Sequence, residues 1–168
     1  RRKCCTSVDD GSMTLIIALV FLVACSAFFS AAETAFSSLN QIRLKSRAED
    51  GDASAARVLA MAEKYDKLLS TILIGNNIVN IAAASIGTIL FTRALGAERG
   101  ATMSTIVLTI VVLIFGEVTP KSLAKEMPET VATAVSPMLN LLMVLFTPLT
   151  WLFSQWKRLL GHFVHSTE

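Results

Sequence analysis

Leu73-Ile74-Gly75-Asn76-Asn77-Ile78-Val79-Asn80-Ile81 places three amides and a glycine inside a run that is apolar on both sides for nearly a membrane thickness. An amide in hydrocarbon is costly without partners, so such groups mark either packing between helices or a polar pathway. A helix puts Asn76 and Asn80 on one face, four residues apart, and turns Asn77 away by about 100°. Alone, the stretch reads as readily as glue between helices. The other apolar runs shift the balance.

Hydrophobic residues make up 53% of the 168 residues and charged ones 17%, and the charge is gathered in a few connecting blocks. That is the membrane class rather than the globular one. A net charge of +2 is too small to argue for nucleic acid. The length suits one compact membrane domain with a handful of helices and leaves no room for a separate soluble catalytic domain. Cys4 and Cys5 lie in a polar tail and Cys25 in an apolar run, neither a disulfide framework nor a metal spacing. Cys25 is most simply a small core residue.

Working outward from the amides, the second span is expected over residues 68–91, ending in the small residues Ala82-Ala83-Ala84-Ser85 and Gly87-Thr88. The first is expected to begin near Thr14. Gly11-Ser12-Met13 resembles a cleavage scar before an initiator methionine, so residues 1–12 read as an expression remnant, with a signal peptide as the runner-up. Within the first span Ser26, Ser30, Glu33, Thr34 and Ser37 share a helical stripe. Small residues there favour close helix packing; the functional alternative is that Ser30 offers its hydroxyl oxygen to an ion. Glu33, near the end of the hydrocarbon, is expected to reach interfacial water.

Between these spans, residues 41–67 carry Arg43, Lys45, Arg47, Arg57, Lys64 and Lys67 against Glu49, Asp50, Asp52, Glu63 and Asp66. Two short amphipathic helices at the membrane surface are expected. Asp52 would cap the second, over 53–63, with Ala55, Ala56, Leu59 and Met61 as its apolar side. The density of Lys and Arg puts this hairpin on the cytoplasmic side. Most of its charges need no role beyond solvation.

A loop over 92–100 leads to a third span, 101–118, which ends in Gly116-Glu117-Val118-Thr119-Pro120-Lys121. Proline has no N–H and clashes with the carbonyl four residues back, which belongs to Gly116. A carbonyl freed beside a carboxylate can line an ion site. The plain alternative is a helix ending at the interface, with Glu117 wet and Lys121 snorkelling. Three spans thus offer a hydroxyl (Ser30), amides (Asn76, Asn80), and a carboxylate with a bare carbonyl (Glu117, Gly116). These hard oxygens select Mg²⁺, Ca²⁺ or Na⁺ over zinc or copper. A single carboxylate keeps affinity modest, as release requires.

Residues 130–153 are apolar enough to span but are interrupted by Pro137 and Pro148, and Trp151, Trp156, Lys157 and Arg158 make an interfacial ending. Lying along the surface keeps Lys157 and Arg158 on the hairpin side, so a broken amphipathic belt is preferred to a fourth span. The fold class is therefore an all-α membrane protein, with three transmembrane helices, juxtamembrane amphipathic helices and a C-terminal interfacial belt.

Ser26-Ala27-Phe28-Phe29-Ser30-Ala31-Ala32-Glu33-Thr34-Ala35, Gly75-Asn76-Asn77-Ile78-Val79-Asn80 and Gly116-Glu117-Val118-Thr119-Pro120-Lys121, in that order, resemble the transmembrane domain of the CorC/CNNM proteins. The resemblance covers residues 13–158. It implies a multi-pass homodimer in a bacterial or archaeal plasma membrane that exports Mg²⁺ against Na⁺ entry. It assigns the metal to Ser30, Asn76, Asn80, Gly116 and Glu117. Family members usually continue into cytosolic CBS modules that bind ATP, and the tail 159–168 stands where those are expected to follow. ATP would act only through them. The rival reading is a membrane Mg²⁺ sensor or scaffold that regulates another transporter. An enzyme ranks third: Ser30 has no His or Lys base in the spans, and His162 and His165 sit in the polar tail.

Overall fold

The computed structural model describes residues 6–152 and 155–156, with side chains from residue 11 onward. Cys4, Cys5, Lys157, Arg158, His162 and His165 lie outside the described residues. In chain order the helices are α1 (Thr6–Ser37), α2 (Gln41–Glu49), α3 (Ala53–Ala62), α4 (Tyr65–Leu95) and α5 (Ala97–Val111), then a π-helical segment (Val112–Val118), α6 (Thr119–Glu126) and α7 (Pro128–Leu145). The described residues contain no strand.

Three rods cross the fold. α1 and α4 run antiparallel: Ser26 meets Asn76, Phe29 meets Gly75, and a Cβ on Gly11 would lie 3.8 Å from the Arg93 guanidinium. The third rod, Ala97–Glu126, runs parallel to α1, because Gly116 faces Ser26 and Lys121 faces Glu33. Their outer faces carry Ile16, Ile17, Val20, Phe21, Ile78, Ile81, Ile106 and Ile110, all exposed. That is the surface hydrocarbon would cover.

The rods are longer than the sequence led one to expect. α1 continues back through Gly11-Ser12-Met13 to Thr6, so residues 6–12 belong to the helix rather than standing apart from it. The expected loop over 92–100 shrinks to Gly96, whose φ of +86° is open to glycine and strained for other residues. The third rod does not stop at Pro120. The Thr119 N–H bonds back to the Ile114 carbonyl, five residues away, and Pro120 sits in the first turn of α6 where its missing N–H costs nothing.

α2 and α3 form the expected amphipathic hairpin. The Asp52 carboxylate accepts from the Ser54 and Ala55 N–H groups at 2.9 and 3.1 Å and caps α3. The buried side of α3 is Ala55, Val58, Met61 and Ala62; Ala56 faces outward, and Val58 takes the place the sequence had given it.

By length and composition α7 could also cross a membrane. Its anchors show otherwise. At its start Glu129 pairs with Arg47 at 3.0 Å and Arg43 at 3.5 Å. Just past its end Thr147 accepts from Lys67 Nζ at 3.1 Å. Arg43 and Arg47 belong to α2, in the connection between α1 and α4, and Lys67 to the first turn of α4, so the ~27 Å of α7 returns to the level it left. It lies as a belt, with Ala132, Val135, Leu139 and Met143 packed on Phe36, Leu44, Val58 and Leu68. One correction applies: Pro137 does not break it. The carbonyl that Pro137 cannot serve is that of Thr133, and the Ser136 hydroxyl donates to it at 2.9 Å. The break falls at Phe146.

Candidate cation site between the membrane helices

At the centre of the bundle Ser26 Oγ donates to Asn76 Oδ1 at 3.2 Å. A Cβ on Gly116 would lie 3.1 Å from the same Ser26 Oγ. Ser26, Asn76 and Gly116 therefore occupy one level where α1, α4 and the π-helical segment meet. The approach depends on Gly75 as well. Any Cβ there would run into the Phe29 ring, so α1 and α4 touch through glycine and ring face.

Ser30 lies one turn from this level toward the hairpin, and Asn80 one turn toward the Gly96 end. In antiparallel helices each Cα–Cβ bond tilts toward its own N-terminus, so both side chains lean back toward Ser26 and Asn76. Ser30 is 1% exposed and its hydroxyl has no partner; Asn80 Oδ1 is buried and likewise unpartnered. With Ser104 Oγ they are the buried side-chain polar atoms among the described residues that lack a hydrogen bond. A buried polar atom without a partner is costly, and native proteins rarely keep one without a use.

Glu117 follows Gly116 directly, is half-buried, and makes no hydrogen bond or ion pair among the described residues. One turn further toward the hairpin, Lys121 Nζ pairs with Glu33 at 3.2 Å. Glu33 and Lys121 thus pair with each other while both side chains stay partly exposed, at 34% and 40%. Asn77 turns away from the centre and donates to the Leu73 carbonyl at 2.9 Å.

Of the residues singled out from the sequence, Asn76 and Gly116 meet directly through Ser26, Ser30 and Asn80 flank them with free buried oxygens, and Glu117 adjoins them. Ser26 is the residue that sequence reasoning set aside as packing. Its place on the Ser30 stripe was visible; its level with Asn76 was not. No cluster of three or more His, Cys, Asp or Glu exists among the described residues. Any cation held here would rest on neutral oxygens and Glu117, a set suited to hard ions.

Comparison with known proteins agrees with this architecture. Residues 17–165 match the family model of the cyclin M transmembrane N-terminal domain, CNNM. The UPF0053 inner membrane protein YfjD of Escherichia coli is 46% identical over 135 residues, 80% of this chain and 31% of its own length. A UPF0053 protein of Haemophilus influenzae is 41% identical over 141 residues, 84% of this chain and 33% of its own. The polyamine export protein of Escherichia coli is 31% identical over 151 residues, 83% of this chain and 34% of its own. The chain thus spans about a third of the length of the curated relatives it matches.

Proposed function

The chain belongs to the cyclin M transmembrane N-terminal domain family, and from that membership we propose that it is a Mg²⁺ transport domain, exporting the ion in exchange for Na⁺ as a homodimer in a bacterial inner membrane. The observation that carries the reading is the pair of buried, unpartnered oxygens on Ser30 and Asn80 beside a half-buried, unpaired Glu117. Such a set is poorly satisfied when empty and well satisfied around a small hard cation.

Mg²⁺ dehydrates reluctantly and prefers six oxygens at about 2.1 Å. In this reading Ser30, Asn76, Asn80 and Glu117 supply hydroxyl, amide and carboxylate oxygens, and Gly116, inside the wide turn over Val112–Val118, adds a backbone carbonyl. Ser26 holds Asn76 and fixes the spacing of α1 from α4. The Glu33–Lys121 pair stands one turn toward the hairpin, and in this reading an ion released in that direction passes it. Na⁺, with the same taste for oxygen but half the charge, can take over the vacated donors and offset the cost of emptying them.

The test is flux. In liposomes with an imposed Na⁺ gradient, the chain should move Mg²⁺, and Glu117→Gln should abolish the movement while the thermal midpoint changes little. Binding without flux would support the sensor or scaffold reading. A second reading follows from relatives named as polyamine export proteins: ammonium groups also seek carbonyl and carboxylate oxygens. Spermidine flux through the same liposomes, with Mg²⁺ flux absent, would favour it.

A further inference from the structure

The outer face of α4 carries a groove that the cation reading does not use. It holds about 500 Å³ and is lined by Asp66, Leu69, Leu73, Asn77, Ile81 and Leu149 among others. The five α4 residues recur every three or four positions, so they form one stripe of the helix. Thr147 meets Lys67 at 3.1 Å, which sets Leu149, two residues on, beside the first turns of α4 as the facing wall. Asp66 and Ile81 are fifteen residues apart, about 22 Å along α4. Half of a bilayer with its headgroups is about 20–22 Å. Asp66 lies in the first turn of α4, at the level of the hairpin, so the stripe runs from headgroup depth to the bilayer centre.

The lining suits an acyl chain better than a helix of a second copy. Leu69, Leu73 and Ile81 are large, whereas membrane helices that pack closely meet through small residues. The polar side chains of the groove wall are already served from their own helix. Ser70 donates to the Asp66 carbonyl at 2.8 Å and Asn77 to the Leu73 carbonyl at 2.9 Å. Neither is left to seek a partner across a seam between copies.

The mouth carries both signs of charge. The Asp66 carboxylate is exposed and has no ion-pair partner among the described residues. Lys67, next in the chain, gives one ammonium hydrogen to Thr147 and keeps two more. A carboxylate beside an ammonium at headgroup depth matches a zwitterion, with phosphate to the lysine and amine to the aspartate. A quaternary amine has no N–H to donate to Asp66, and phosphoglycerol has no positive charge to place there.

We infer that this groove seats one phospholipid with a primary ammonium headgroup, phosphatidylethanolamine. Its ammonium rests on Asp66, its phosphate beside Lys67, and one acyl chain lies along α4 as far as Ile81. The same chain touches Leu149, so the lipid ties the segment after α7 to α4. The inference stands apart from the cation reading.

The test uses the whole chain in phosphatidylcholine nanodiscs that contain a little phosphatidylethanolamine with a diazirine on one acyl chain. After photolysis, mass spectrometry should place the label on residues 69–81. Unlabelled phosphatidylethanolamine should compete about fivefold better than phosphatidylcholine or phosphatidylglycerol, the value of one ion pair at a surface. Asp66→Asn should erase that preference, and Leu73→Trp should block labelling outright. Both residues are exposed, so both variants keep the core and its thermal midpoint. Label spread evenly over the lipid-facing rods, at Phe21 and Ile110 as much as at Leu73, overturns the inference, as does a preference that survives Asp66→Asn. Disulfide formation between copies through Asn77→Cys, with the groove unlabelled, also overturns it and gives the face to a second copy.

Discussion

Ser26 and Ser30 are one helical turn apart and should respond to substitution in opposite ways. Ser26 Oγ is bonded to Asn76, so Ser26→Ala removes a hydrogen bond between helices and should lower stability by about 1 kcal/mol. Ser30 Oγ has no partner, so Ser30→Ala deletes an unsatisfied group. The metal-free protein should be as stable as before or slightly more so, while Mg²⁺ affinity falls. Thermal unfolding with and without Mg²⁺ separates the two effects. At Gly75, alanine would place a methyl in the Phe29 ring. The ring must shift, and a loss of roughly 1–3 kcal/mol is expected from such overpacking. The amide face at Asn76 and Asn80 was legible from its four-residue spacing. Ser26 and Ser104 were not, because a small hydroxyl in an apolar run carries no signal until its neighbours across the bundle are known.

The hairpin is where pH should act. Asp52 is held below the ordinary carboxylate range first by the Ala55 N–H it accepts from and next by its bond to Arg47. A depressed folded value means that its stabilisation is present above the unfolded value, about 4. It is lost as pH falls through the lower folded one. Hydrogen-exchange protection in α3, taken relative to the intrinsic rate at each pH, should therefore fall below about pH 4, and Asp52→Asn should remove most of that pH dependence. Asp52 was readable as a cap from sequence because capping is local. The proline segments were harder. A proline predicts a missing hydrogen bond, but whether the helix breaks depends on the substitute. At Pro137 the Ser136 hydroxyl serves the vacant carbonyl; at Pro120 the wide turn over Val112–Val118 absorbs the misfit before α6 begins.

Across the whole molecule the claim is that three rods cross and α7 does not. Composition alone makes α7 a fourth crossing; the argument from the balance of basic residues pointed to a belt, and the Glu129 and Lys67 anchors bear that out. In an otherwise cysteine-free background, impermeant thiol reagents should reach Thr147→Cys and Ser54→Cys from the same side of the membrane, and Glu98→Cys from the other. Reaction of residues 147 and 54 from opposite sides would restore the fourth span. The charged surface was thus legible as sidedness. The antiparallel register that sets Ser26 level with Asn76 and Gly116 was not, since it depends on contacts such as Phe29 on Gly75.

The central claim is that oxygens from three membrane helices hold one small cation. Locating Mn²⁺, an anomalous scatterer standing in for Mg²⁺, in crystals of the whole chain tests it most directly. The account requires one peak at bonding distance from Asn76 or Asn80, Glu117 and a serine hydroxyl of α1, lost in Glu117→Gln. A bundle with no peak there, or with manganese only on the charged hairpin, would contradict it.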